Sequence, residues 1–160
     1  MAGGLAEAHG AVARLLGCQA EEVRFVASRE NLLQALCFTL GLKSGDGVVV
    51  PDDLVTPLQV GCHQAGVALA VLPVTAAGRL DHDAFAALVT PQTRLVVIPH
   101  RLNGLLVDLA AVIELARASN TVVAVDVSGT VGLVPVNAAA LNADLVFGVG
   151  NVYLRAPRGR

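Results

Sequence analysis

The sequence predicts an α/β fold: a three-layer α/β/α sandwich around a mainly parallel, doubly wound sheet. Three observations predict it. Short Val-rich runs alternate with helix-patterned segments along all 160 residues. Those runs are apolar at successive positions, as strands covered on both faces must be. The composition is 54% hydrophobic but only 3% aromatic, so the apolar mass is Ala, Val and Leu, a mixture that suits buried strands beneath helices. Right-handed crossovers follow from strand–helix–strand order. Residues 1–160 form one domain, long enough to bury about two-thirds of the unfolded chain's surface. No linker, low-complexity stretch or internal repeat divides it.

Element by element, Leu5, Ala8, Val12, Leu15 and Leu16 recur at helical spacing, and Gly17 stands where a left-handed C-terminal cap is expected. VRFVA at 23–27 is expected as a strand. Ser28 then caps a helix whose stripe Leu33, Leu36, Leu40 ends near Gly41. GLKSGDG turns into the strand VVV at 48–50. Thr56 and Pro57 are expected to open a helix toward Gly66, and VALAVLPV at 67–74 to supply the next strand. A short helix over 81–88, a strand RLVVIP at 94–99, an amphipathic helix over 108–118 and a strand TVVAVD at 121–126 follow. A short helix at 138–141 and the strand ADLVFG at 143–148 complete the series.

Charge and cysteine usage narrow the function classes. A formal net charge of -2 argues against a nucleic-acid or anionic-membrane partner, and the basic tail Arg155, Arg158, Arg160 is too small to change that. Cys18, Cys37 and Cys62 match no zinc spacing and leave an odd thiol in any pairing, so they read as reduced thiols. The N-terminal stretch has Glu7 and His9 inside it, unlike a signal peptide, and no apolar run is long enough to span a bilayer. A cytoplasmic protein is expected.

Ligands of open parallel sheets bind beyond the carboxyl ends of the strands. The segments to interrogate are therefore 28–31, 52–55, 100–103, 126–130 and 148–152. Asp126, directly ending an apolar strand, either caps the following turn or holds a cationic group. His100 is either a satisfied structural residue or an acid–base group. Neither a GxxxxGK[ST] loop nor a GxGxxG loop occurs, and SGDG at 44–47 leads into a strand rather than out of one, so it reads as a connection. Of 11 basic residues, ten are Arg; Lys43 is the only lysine.

The phrases GCQAEEVRFV, GLKSGDGVVV and QAGVALAVLPVTAAGRLDHDAFAALVTPQTRLVVIPH come in an order that resembles the large domain of the class V aminotransferase family. The likeness continues through GLLVDLAAVIELARASNTVVAVDVSGTVGLVPVNAAALNADLVFGVG to LRAPRG. These are the fold-type I pyridoxal-phosphate (PLP) enzymes, which include cysteine desulfurases and isopenicillin N epimerase-like proteins. The resemblance covers about nine-tenths of the chain. It implies a PLP-dependent-transferase-like large domain, PLP as cofactor, and Asp126 as the carboxylate pairing with the pyridine nitrogen. Ser28, Arg29, His100, Asn103 and Ser128 are the other expected cofactor neighbours.

The same resemblance points away from catalysis. In the family a lysine within a phrase like HKWLxAPKG forms the Schiff base; here NVYLRAPRG puts Asn151 at the histidine and Val152 at the lysine. Valine cannot form an imine, and Lys43 matches an ordinary surface lysine. The family's phosphate-gripping threonine falls on Glu30, its ring-stacking pair on Leu54 and Val55, and the His or Gln after the aspartate on Gly129. Family members are commonly more than twice this long, so the small domain is expected to be absent. The expected function is thus a non-catalytic derivative or fragment, a pseudoenzyme that forms a homo-oligomer. The alternatives are part of a PLP enzyme completed by a longer partner chain that carries the lysine, or a small-molecule or anion-binding module using Ser28, Arg29, His100, Asp126 and Ser128.

Overall fold

A computed structural model describes residues 2–154; Arg155, Arg158 and Arg160 lie outside the described residues. The chain opens with α1 (Ala2–Leu16), closed by Gly17 at φ 65° with the Cys18 amide on the Ala13 carbonyl. A 3-10 turn (Ala20–Glu22) leads into residues 23–27, which correct the expected strand: no ladder forms there, and of the five residues only Val23 is buried. β-branched composition favours a strand only where a neighbour pairs with it and covers one face. Neither condition is met here among the described residues.

Helix α2 (Arg29–Thr39) follows, then β1 (Gly47–Val50), α3 (Asp52–Ala65), β2 (Ala68–Val71), α4 (His82–Leu88) and β3 (Thr93–Pro99). The tight hairpin β4–β5 (Arg101–Leu102, Leu105–Leu106), α5 (Leu109–Ala118), β6 (Val122–Asp126), α6 (Ala138–Leu141) and β7 (Leu145–Phe147) complete the order. Helix α3 is a second correction. It begins at Asp52, after Pro51 as cap, and runs through Pro57 instead of starting there. Asp52 and Asp53 in its first turn oppose the positive helix N-terminus, which favours the earlier start.

The five main strands are all parallel, in the order β2-β1-β3-β6-β7. Along the central strands β1, β3 and β6, successive buried side chains face opposite layers. Val48, Val50, Leu95, Val97 and Ala124 face α2 and α3 with Leu33, Leu54, Leu58 and Cys62. Val49, Val96, Ile98, Val123 and Val125 face α4 and α5 with Phe85, Leu109, Val112 and Ile113. This gives the three layers. Each fully buried Val or Leu side chain contributes about 2 kcal/mol relative to exposure. No described helix is long and apolar enough to cross a membrane.

Candidate functional site at the strand ends

The chain leaves β1 toward β2 on one side and returns to β3 on the other, so the carboxyl ends of β1 and β3 flank the point where strand order reverses. A cavity of about 240 Å³ opens there, walled by Arg29, Pro51, Asp53, Pro99, Arg101, Asp126, Ser128 and Gly129. A larger depression of about 310 Å³ lies beside the β4–β5 hairpin, and its wall holds none of the candidate residues.

Asp126 ends β6, paired in register with Pro99 on one side and Phe147 on the other. It is only 7% exposed. Both roles open to it from sequence are filled at once. Oδ1 accepts from the Ser128 amide at 2.8 Å, capping the turn, and Oδ2 accepts from Arg29 Nη1 at 3.1 Å. The other terminal nitrogen of Arg29, Nη2, donates to Asp53 Oδ2 at 3.0 Å. One guanidinium therefore clasps two carboxylates, one at the end of β6 and one in the first turn of α3. Partial burial disfavours the charged form of Arg29, but the hydrogen bonds and charges of Asp126 and Asp53 outweigh it and raise its pKa.

Arg29 reaches this position because α2 starts there. Ser28 is the N-cap: its Oγ accepts from the Asn31 amide at 3.1 Å and donates to Asn31 Oδ1 at 2.9 Å. Its hydroxyl is thus engaged by its own helix. Next along, Glu30 is held below the ordinary carboxylate range, first by its own backbone N–H and then by the Ser28 hydroxyl. At this helix start the Asn31 amide is taken by the Ser28 hydroxyl, and the Glu30 carboxylate adds a negative charge beside it.

His100 follows β3, with its ring Nδ1 3.0 Å from Thr130 Oγ1. Thr130 in turn donates to the Val127 carbonyl at 3.2 Å, so its oxygen accepts and Nδ1 carries the proton. Burial pushes the His100 pKa down, leaving the neutral ring favoured. Its amide donates to the Asp126 carbonyl, tying β3 to β6. Ser128 Oγ accepts from the Val149 amide at 3.1 Å and holds the loop after β7 beside the aspartate. These four residues, Arg29, His100, Asp126 and Ser128, lie together at the strand ends.

Asn103 is placed elsewhere. With φ 48° it forms, together with Gly104 at φ 88°, the two-residue turn of the hairpin, and its Nδ2 donates to the Gly78 carbonyl at 2.8 Å. Val152 is half-exposed in the segment after β7 and does not line the cavity. Asp53, in the first turn of α3, and Arg101, the first residue of β4, belong to the cavity wall; both fall in the segments 52–55 and 100–103 beyond strand ends, which was the available signal. Arg101 has no ion-pair partner among the described residues. The described residues hold no cluster of three or more metal-ligating side chains. All three cysteines are free.

The family model for aminotransferase class-V matches residues 2–159. A cysteine desulfurase of Yersinia pestis (strain Pestoides F) is 30% identical over 144 residues, covering 84% of this chain but 36% of that protein. The chain thus spans about a third of the length of the curated relatives it matches. Among solved structures, a cysteine desulfurase from Escherichia coli superposes with a TM-score of 0.84 at 25% identity, over 98% of this chain and 42% of its own. A C-DES variant with glycine covalently linked to its PLP cofactor gives 0.86 at 20% identity, over 97% and 43%. On the match across nearly its whole length, the chain belongs to the class-V aminotransferase family.

Proposed function

We propose that this chain is a cysteine desulfurase-like, class-V large domain that does not carry out PLP chemistry on its own. One observation carries the reading. The only lysine, Lys43, lies in the turn before β1, where its amide donates to Asp46 Oδ2, and so at the amino edge of the sheet. The cavity is at the carboxyl edge, at least the length of β1 away, about 13 Å at roughly 3.3 Å per residue. A lysine side chain anchored there does not reach Asp126. Val152, at the position the family phrase gives to the lysine, has no group that forms an imine.

The donor set around the cavity does not fit the cofactor as it stands. Asp126 has both oxygens engaged, and Glu30 brings a negative charge to the helix start where a phosphate would be held. The test is to add PLP to the purified protein, reduce with borohydride and measure the intact mass. No stoichiometric reduced adduct is expected. A stoichiometric adduct that disappears in Lys43→Ala would overturn the reading.

In a second reading, a longer PLP-enzyme subunit supplies a lysine to the strand-end cavity where Asp126 stands. A second copy of this sequence adds only another Lys43, so the productive partner is a different chain. Co-purification from the native source tests it: a chain that runs alone, or only with copies of itself, removes its basis.

A further inference from the structure

We infer that Arg29 is the specificity-determining residue of the strand-end cavity: its guanidinium stands on Asp126 as an internal cation and excludes any ligand that would bring a protonated ring nitrogen to that carboxylate. The inference deepens the proposed function and rests on the same site. It adds which side chain closes that site and which class of ligand is shut out.

Four observations support it. First, a carboxylate that receives a ring N–H⁺ must offer a free oxygen toward the cavity. Asp126 Oδ1 is turned onto the Ser128 amide, and Oδ2, 3.1 Å from Arg29 Nη1, already holds a cation. Second, the guanidinium does not have to give up one contact but two, because Nη2 is 3.0 Å from Asp53. The fork of Arg suits such a two-carboxylate clasp, which a lysine would not reproduce.

Third, Arg29 is the first residue of α2, where a positive charge opposes the helix dipole. A cation at that point is unfavourable unless carboxylates answer it, and Asp126 at the end of β6 and Asp53 in the first turn of α3 do so, with Glu30 4.0 Å from Nε as a third. Its backbone is fixed by the Ser28 cap and by fully buried Leu33 one turn on, so the guanidinium is delivered to the cavity by the fold itself. Fourth, the charges balance. Arg29 and Arg101 face Asp53 and Asp126 in the cavity wall, two against two. Removing Arg29 leaves an excess of one negative charge beside a nearly buried carboxylate, the electrostatic condition for taking up a cation.

The probe is pyridoxine, a 3-hydroxypyridine with neither aldehyde nor phosphate. It reports on Asp126 without a Schiff base and without the phosphate end of the site. Calorimetric titration is made on the native protein, on Arg29→Gln and Arg29→Ala, and on Arg29→Gln combined with Asp126→Asn, with circular dichroism establishing the fold of each. The native protein is expected to bind pyridoxine at least tenfold more weakly than the Arg29 variants, and the gain to vanish when Asp126→Asn is added. Binding to the native protein as tight as to the variants overturns the inference. So do folded variants that gain nothing, or a gain that survives Asp126→Asn. Two Arg29 variants of different size keep the comparison available should one of them fail to fold. Because pyridoxine cannot form an imine, the result is independent of the borohydride experiment, and the failure of either proposal is separable from that of the other.

Discussion

In the body of the sheet, Leu95, Val96, Val97 and Ile98 of β3 are all fully buried, pointing alternately into the two helical layers. At the carboxyl edge, Asp126 in register with Pro99 and His100 just after it are polar, and each is answered by a group from elsewhere in the chain. Asp126 meets Arg29, 97 positions away, and His100 meets Thr130, 30 positions away. The first region is held by burial, which has no direction and accepts any well-packed hydrocarbon. The second is held by directed pairs, each needing a specific partner. The difference teaches that the two regions answer to different rules: hydrocarbon positions keep the fold, and directed polar pairs at the edge decide which groups are left to meet a ligand.

Breaking the first region carries the largest expected effect. Phe85, 1% exposed under the sheet, packs with Val96, Ile98 and Val112. Phe85→Ala is expected to cost about 4 kcal/mol in urea unfolding, through lost transfer energy and the cavity left behind. A loss below about 1 kcal/mol would mean that this face is not close-packed. At the edge, effects are smaller and local. Ser28→Ala removes the cap of α2 and is expected to cost about 1 kcal/mol in the same assay. A neutral outcome would return the Ser28 hydroxyl to the pool of free ligand contacts and blur the contrast between the two regions.

Much of the sheet body was legible in the sequence. The central Val-rich runs read as strands buried on both faces, and β1, β3 and β6 lie within a residue of where VVV, RLVVIP and TVVAVD place them. Caps were legible too: Gly17, Gly41 and Gly66 all adopt positive φ at helix ends. Residues 23–27 misled because a strand is defined by a neighbour, and composition names no neighbour. Thr56–Pro57 misled because Pro is common at a helix start, yet Pro51 already served that purpose one strand end earlier. Asn103–Gly104 carried a hairpin signal, and the turn it makes takes Asn103 away from the aspartate.

The site was legible only as a set of places. That Asp126 would either cap the following turn or hold a cation followed from its position after an apolar strand, but not that it does both, nor which cation it holds. Arg29, Asp53 and Asp126 are brought together by three separate crossovers, and no local pattern announces a clasp between residues so far apart in sequence. The cysteines show the same limit. Cys37 on α2 and Cys62 on α3 pack in one cluster, and burial, then the neighbouring Cys62, push the Cys37 thiol up to about 11. Their spacing in sequence gave no hint of that contact.

The central claim is that Asp126 is satisfied from within, by Arg29. A double-mutant cycle on unfolding free energy, comparing Arg29→Gln, Asp126→Asn and the pair with the native protein, tests it most directly. Allowing for the partial exposure of Arg29, a favourable coupling on the order of 1 kcal/mol is the result the account predicts. Strictly additive single effects would contradict it and leave Asp126 free to receive a ligand.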